Sequence, residues 1–418
     1  MSSDRTPTRR ETIKYGGTLA VAGMLAGCSA ETAEQEGEPQ TNDDGSSAGG
    51  NQSDADPKSD TDEPSQSDSY TVPMAPMGDV EFDSVPESAF TVFPWYADMA
   101  FALGHGDSIN SLWWADEFDR IMQYFTDDLD GVSTSWNGLS GTYGATKERL
   151  YQLDSDVHLV DPAWVSSLDN WDQDDVDTLA TDVAPWFGNQ YSNLHFSPPE
   201  AWTDRYEYYT LWELFEKVAA IYQEQARYQK LAKIHTDLVG SIQSALPPEE
   251  DRPTVGYVQM ATDLSSIYLL RLNAPGYYNS HTRPLGAVDS FSDVNYDGGE
   301  FAAVDFEALL DADPDVLLTL WGMTSNVDFQ QLRSNLEDHP TGGELSAVQN
   351  DRVYTQGTRY QGPILNLYQL EMTAKQLYPD EFGEWPGYAD GDSYPEFADD
   401  EQLFDRQRVA NIINGNYE

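Results

Sequence analysis

One stretch limits the fold more than any other. From Leu211 to about Leu246, apolar residues recur at steps of three and four: Leu211, Leu214, Val218, Ile221, Tyr222, Leu231, Ile234, Leu238, Val239 and Ile242. That spacing lines them along one face of an α-helix, and Pro247-Pro248 stops it. A helix over 211–246 would be roughly 54 Å long at 1.5 Å per residue. No small domain needs such a rod for its own core, whereas two domains joined by it do. The stripe thins at Gln223-Glu224-Gln225, so a helical hairpin broken there is the other arrangement the pattern allows.

Both flanks of this stretch alternate short apolar runs with helical patterns. On the first side, Ala89 to Phe93 predicts a strand ended by Pro94, Trp95 to Leu103 a helix stopped by Gly104, and Ser108 to Leu112 a second strand. On the second side, Thr254 to Met260 predicts a strand, Leu264 to Leu272 a helix, and Val304 to Leu310 a helix. Val316 to Leu320 follows as a strand, Phe329 to Leu336 as a helix, Val353 to Thr355 as a strand, and Ile364 to Leu377 as a last helix behind Pro363. Such alternation specifies parallel α/β units. The fold expected is α/β: two Rossmann-like lobes joined by one long interdomain helix, with a ligand cleft between them.

A short internal repeat supports a pair of related lobes. Glu148 is followed at the same offset by Asp156-Val157 as Glu307 is by Asp315-Val316, and a buried strand follows each Asp-Val. The two copies fall on opposite sides of the long helical stretch. The expected organisation is 73–208 for the first lobe, 209–248 for the joining helix, 249–385 for the second lobe and 386–418 for a C-terminal extension.

The chain carries 22 Lys+Arg against 73 Asp+Glu, a formal net charge of −51. Such a surface repels nucleic acid, so no nucleic-acid partner is expected. The 11 Trp, 24 Tyr and 16 Phe exclude a wholly disordered acidic protein. Dense carboxylates suit high salt, where the Debye length falls to about 3 Å and self-repulsion is screened. A salt-loving prokaryote, an archaeon foremost, is the source expected.

The first 27 residues have the form of an export signal: Arg9-Arg10, an uncharged run from Tyr15 to Gly27, and small residues before the single cysteine, Cys28. Cys28 then ends a lipobox-like Leu25-Ala26-Gly27-Cys28 and is expected to take a lipid after twin-arginine export. Residues 28–72 are acidic and polar, too poor in apolar residues to fold. As a coil of ~42 residues they span roughly 35 Å. The expected location is the outer face of the cell membrane, held by the lipid. A chance cysteine at the end of an ordinary signal is the plain alternative.

Five stretches, in this order, make the chain resemble the substrate-binding proteins of ABC importers for iron-siderophore complexes, haem and cobalamin. They are Tyr96 to Gly104, Leu153 to Val157, the long helical stretch, Leu309 to Val316, and Ala347-Val348-Gln349-Asn350-Asp351-Arg352-Val353-Tyr354. The resemblance covers roughly residues 80 to 380. It implies a monomeric receptor that captures a ferric chelate or corrinoid between its lobes and delivers it to a membrane permease driven by an ATPase. It also implies that one acidic residue on each lobe docks the permease, and Glu148 and Glu307 match those positions. Their plain alternative is two ordinary helix glutamates favoured by the macrodipole. The sequence departs from the family pattern at Ser155, in an aromatic insertion from Trp164 to Tyr209, and beyond Trp385.

Ligands of open α/β sheets bind at the carboxyl ends of the strands. That rule selects Trp95, Tyr96, Trp113, Trp114 and Trp164 on the first side, and Tyr257, Met260, Trp321, Arg359 and Tyr360 on the second. Aromatic faces suit a flat or catechol-bearing ligand, and Arg359 suits an anionic group on it. Each is equally a normal core or ion-pair residue. Arg271 is expected to be structural, one turn before a helix end. The six histidines form no short-spaced pair, so neither a zinc motif nor any cofactor is expected. No Gly-x-Ser-x-Gly elbow or Walker loop occurs, so no enzyme is expected. Capture of a bare metal ion or another small solute, and a surface hydrolase or carbohydrate-binding lipoprotein, are the alternatives.

Overall fold

The structure is a computed structural model that describes residues 69–142, 146–296, 299–389 and 391–417. The export signal, Cys28 and nearly all of the expected tether lie outside those residues. The tether was expected to reach residue 72, but β1 (Tyr70–Met74) already pairs there with β2 (Gly78–Phe82) in an antiparallel hairpin. Its alternate residues Val72, Met74, Val80 and Phe82 are buried, which is why this segment folds.

The first lobe is built on β3 (Ala89–Thr91), α1 (Pro94–Ala102), β4 (Ile109–Ser111), α2 (Ala115–Thr126), α3 (Lys147–Leu153) and β5 (Val157–Leu159). The strands form a parallel sheet in the order β4-β3-β5. The insertion that follows holds α4 (Pro162–Val165) and α5 (Gln173–Asp182). Buried Asp161 ties it down, accepting hydrogen bonds from Ala163 N at 2.8 Å, Gln190 N at 2.7 Å and the Tyr206 hydroxyl at 2.6 Å. Burial pushes this carboxyl up to about 6.

The long helical stretch is two helices, not the single rod expected: α6 (Leu211–Ile221) and α7 (Gln225–Ala245). Gln223 adopts φ 56°. Gln223 N donates to Ala220 O at 3.3 Å and Glu224 N to Ala219 O at 2.9 Å. That is a Schellman stop with glutamine in the left-handed position. The chain then folds back, with Trp212 stacked on His235 at 4.3 Å and Phe215 against Tyr228 at 5.4 Å between ring centroids. In one straight helix Trp212 and His235 would lie roughly 35 Å apart. α7 leads from the first half to the second, burying Leu231, Ile234, Leu238 and Ile242.

The second lobe contains β6 (Thr254–Met260), β7 (Ile267–Leu269), β8 (Val288–Asp289), β9 (Ala302–Val304), α8 (Phe306–Ala312), β10 (Val316–Thr319), α9 (Phe329–Asp338), α10 (Ser346–Gln349) and β11 (Val353–Thr355). They give a mixed sheet in the order β11-β10-β6-β7-β9, with β8 beside β6. The helix expected over Leu264 to Leu272 is instead a turn and β7, antiparallel to β6. Period-two alternation divides the sheet. Val258, Met260, Ile267, Leu269 and Leu317 enter the lobe's own core, while Val255, Tyr257, Leu270, Val316 and Leu318 enter a core shared with the first lobe and the helices.

The chain then crosses back through α11 (Pro363–Leu377), α12 (Pro379–Phe382) and a tail ending in α13 (Arg406–Ile413). Every residue of α11 is buried. Asp98 of α1 caps it, accepting from Gly362 N at 2.9 Å, Ile364 N at 3.1 Å and Leu365 N at 3.1 Å. A Cβ on Gly362 would come within 2.6 Å of Asp98, so this cap requires glycine. Burial drives the Asp98 carboxyl up to about 7 against the pull of those three N–H groups.

Candidate functional site

The carboxyl ends of the first-lobe strands and the loops of the second lobe meet in one aromatic cluster. Trp95, at the start of α1, is fully buried. Its ring centroid lies 5.5 Å from Tyr277, 5.7 Å from Tyr278 and 5.9 Å from Tyr360. Trp113 meets Tyr360 at 5.4 Å. Trp114 meets Trp321 edge-on at 5.4 Å, and Trp321 reaches Tyr360 at 5.1 Å. Each contact lies in the range of favourable aromatic pairs.

Trp114 and Trp321 occupy corresponding positions, each just after a strand of its lobe. Both are held at positive φ, 63° and 69°, where a bulky side chain is strained and needs support from its surroundings. Next to them Glu117 of α2 accepts from Ser325 N and from the Ser325 hydroxyl, both at 2.7 Å. This clasp and the Arg120 guanidinium hold the Glu117 carboxyl below its usual value, against burial acting the other way.

Arg359 lies deeper. It is buried, ion-paired with Glu300, and its guanidinium carbon sits 4.9 Å from the ring centroids of both Tyr278 and Phe301. The space beside it is lined by Leu194, Tyr257, Leu270, Arg271, Asn279 and Glu300, among others, and measures about 10 Å³. That is room for one water at most. The Tyr257 hydroxyl and Arg359 Nε are buried here without a hydrogen-bond partner.

The cluster thus gathers Trp95, Trp113, Trp114, Trp321, Arg359 and Tyr360, with Tyr257 on the adjoining cavity. Three further candidates lie at its margin or outside it. The Tyr96 ring lies 5.9 Å from that of Trp95, while its hydroxyl accepts from Asn189 N at 2.8 Å in the insertion. Trp164 touches the cluster only through Phe93, at 4.8 Å, and otherwise packs with Trp171 and Trp186 under the insertion. Met260 lies in the second lobe's private core. Arg271 is on no helix; it lines the cavity and lies over Tyr296 at 4.4 Å.

Tyr277, Tyr278, Glu300 and Phe301 were missed because they come from loops without a strand-end address. The signal available was Pro275-Gly276-Tyr277-Tyr278. Gly276 has φ 103°, and a Cβ there would lie 2.3 Å from Asn193 O. Only glycine lets this loop press on the insertion, where Tyr277 N donates to Ser192 O at 3.2 Å and Tyr278 N to Asn193 O at 3.0 Å.

The repeat has a structural cause. α3 and α8 each span 7 residues and end on a left-handed Asp, Asp154 at φ 46° and Asp313 at φ 35°. Asp156 then accepts from Glu87 N at 2.9 Å and Ser88 N at 2.8 Å. Asp315 accepts from Thr254 N and the Thr254 hydroxyl, both at 2.8 Å. Each Asp staples the start of its lobe's first strand. Glu148 and Glu307 lie exposed in the first turns of α3 and α8. The Glu148 carboxyl is lowered by hydrogen bonds at its helix start.

Two α/β lobes joined by a helix, with an aromatic cluster where they meet, have the form of a solute-binding protein. The family model for periplasmic binding proteins matches residues 90–360, more than half of the chain, and the chain belongs to that family. Its members capture solutes for ABC importers outside the cytoplasm, hand them to a permease and its ATPase, and are not enzymes. A periplasmic solute binding protein from Veillonella parvula is similar in structure, with a TM-score of 0.53 and 15% identity over 82% of this chain and 99% of that one. A second periplasmic binding protein from Veillonella parvula gives 0.52 and 13%, covering 75% and 92%. The iron uptake ABC transporter substrate-binding protein PiuA from Streptococcus pneumoniae gives 0.50 and 16%, covering 74% and 97%. No curated protein sequence matches. Among the described residues no helix is long and apolar enough to cross a membrane, and no group of three or more His, Cys, Asp and Glu could hold a metal ion.

Proposed function

We propose that this chain captures an iron chelate, a ferric siderophore foremost, with haem and cobalamin as the nearest competitors. The observation that carries the reading is the junction of Trp95, Trp113, Trp114, Trp321 and Tyr360 with a buried arginine, aromatic faces beside a cation. Aromatic walls suit a large, flat ligand, and a guanidinium suits the oxygens that wrap the metal. The iron-uptake role of PiuA, a protein of similar fold, agrees with it.

In the same reading Cys28 carries the lipid after twin-arginine export, the acidic tether keeps the lobes near the permease, and Glu148 and Glu307 dock it. The lobes are taken as 73–208 and 249–385, with the 386–418 tail bracing the first. Glu117 and Ser325 release each other when the cleft opens. Ferric siderophores, haem, cobalamin and bare Fe(III), Ni(II) and Zn(II) would each be titrated against the protein. Tryptophan fluorescence and melting temperature are the readouts. A ferric siderophore is expected to quench the fluorescence and raise the melting temperature. Stabilisation by none of the compounds would sink the reading, and stabilisation by a bare ion alone would replace it.

A further inference from the structure

The chain is overwhelmingly acidic, with 73 Asp+Glu against 22 Lys+Arg, yet two arginines converge on the small cavity behind the aromatic cluster. Arg359 and Arg271 both line it, and Glu300 is the only carboxylate among the described lining residues. Arg359 is 5% exposed and boxed by Tyr278, Phe301 and Tyr360. Its charge is met by Glu300. Its Nε, and the hydroxyl of Tyr257, which is 2% exposed, have no hydrogen-bond partner. Buried polar groups are normally satisfied, so two unsatisfied donors around one guanidinium mark a place where acceptor oxygens belong. Among the described residues Glu300 supplies a carboxylate there, but its Oε1 is itself without a hydrogen-bond partner and both donors stay unused.

We propose that Glu300 is an internal surrogate for the acidic group of the ligand. It neutralises Arg359 while the cleft is empty and is displaced when an anionic ligand group enters. The inference rests on the chelate-capture reading and adds selectivity to it. An acidic chelate exchanges one anion for another, so the buried guanidinium is never left unpaired, and it satisfies the two idle donors as well. A neutral chelate cannot displace Glu300 without stranding a buried charge, and is refused. The half-buried position of Glu300, its side chain 25% exposed against 6% for Arg359, gives the carboxylate a route to solvent.

The test compares an acidic ferric tricatecholate, a neutral ferric trihydroxamate and iron-free citrate by tryptophan fluorescence. Glu300→Gln removes the competitor and is expected to tighten the tricatecholate and citrate by about tenfold or more, while the trihydroxamate changes by less than about twofold. The double variant Glu300→Gln/Arg359→Gln leaves no charge unpaired and keeps the test decidable if the single variant folds poorly. It is expected to lose the native preference for the tricatecholate over the trihydroxamate. An unchanged affinity of Glu300→Gln for the acidic probes overturns the proposal, as does equal tightening of the neutral one or an undiminished acidic preference in the double variant. If neither iron complex binds any form, yet Glu300→Gln gains citrate binding that Arg359→Gln removes, the surrogate role stands and iron capture falls. If both complexes bind native protein and Glu300→Gln alike, the reverse holds.

Discussion

The two lobes carry the same structural unit and put it to different use. In each, a 7-residue helix ends on a left-handed Asp, and the Asp two positions on staples the first strand. The first lobe's sheet has three strands, and its core runs without interruption into α1, α6, α7 and α11. The second lobe's larger sheet keeps one face for a private core. A body whose core is private moves as a unit, whereas one whose core is shared does not move without disturbing its neighbours. The first lobe and the helices therefore form one continuous frame, and the second lobe joins that frame through the other face of its sheet.

The C-terminal tail touches the second lobe's core through Tyr388 near its start, and its later part is tied to the frame. Arg406 pairs with Asp128 at 3.0 Å and with fully buried Glu371, and the Tyr394 hydroxyl donates to Glu371 at 2.9 Å. Asn414 Nδ2 reaches Asp130 O at 2.9 Å. Arg406→Met strands a buried carboxylate. It is expected to lower stability by about 3–5 kcal/mol, the largest effect on this comparison. Urea unfolding at pH 7 measures it. A loss below about 1 kcal/mol would mean that the tail is not part of the frame.

The paired staples sharpen the same point at a smaller scale. Asp156→Ala and Asp315→Ala each remove two hydrogen bonds at a strand start, with an expected loss of about 1–3 kcal/mol apiece. The readout that separates the lobes is native-state hydrogen exchange. Asp315→Ala should loosen β6, β10 and β11 alone, while Asp156→Ala should lower protection in β3 and β5 together with α1 and α11. Equal spreading from both sites would show that the second lobe has no independent core.

The sequence reads well where one local rule decides. Proline and glycine bound α1, since Pro94 opens it and Gly104, at φ 77°, follows its end. The repeated Asp-Val marks the lobes because a staple needs its carboxylate at one fixed offset. The rod failed because its stop is a glutamine in a position glycine usually fills, and the folding-back is decided by Trp212 meeting His235 across the turn. Leu264, Ile267 and Leu270 mimic helical spacing, but Leu264 sits at φ 60° in a turn and Ile267 and Leu269 alternate inward on β7. The strand-end rule selects Trp113, Trp114, Trp321, Arg359 and Tyr360, which lie together in the structure. It was blind to Tyr278 and Glu300, whose places depend on the approach of two loops that share no local pattern.

Two buried histidines test how far burial alone perturbs each region. His158 on β5 lies between Phe90 and Trp186 with neither ring nitrogen partnered. His281 is hydrogen-bonded to Gln361 at 2.7 Å between Nδ1 and Nε2. Burial pushes both down to about 3, below the ordinary value near 6.5. The unfolded chain therefore binds these protons first. The stability tied to each neutral imidazole is present above pH ~6.5 and is lost as pH falls toward about 3, at about 1.4 kcal/mol per pH unit per proton. His158→Phe is expected to flatten that acid slope by about one proton, with little loss at pH 7. His281→Phe should flatten it equally but lose stability at every pH, by about 1 kcal/mol for the hydrogen bond. Urea unfolding from pH 4 to 8 measures both, and an unchanged slope for His158→Phe would mean that this ring is charged in the fold.

The smallest expected effect on the fold concerns the feature the lobes share most openly. Glu148 and Glu307 are exposed, at the same place on matching helices. Surface substitutions of this kind stay within about 0.5 kcal/mol, so Glu148→Lys, Glu307→Lys and the double variant should melt like the native protein and bind ligand unchanged. Their effect belongs to the partner. In the proposed docking role, two carboxylates on two lobes would fix the orientation of the receptor on its permease. Either substitution alone is expected to weaken solute-driven uptake in membrane vesicles, and the two together to abolish it. Uptake unaltered in the double variant would strip these residues of the docking role and leave them as two first-turn glutamates among many.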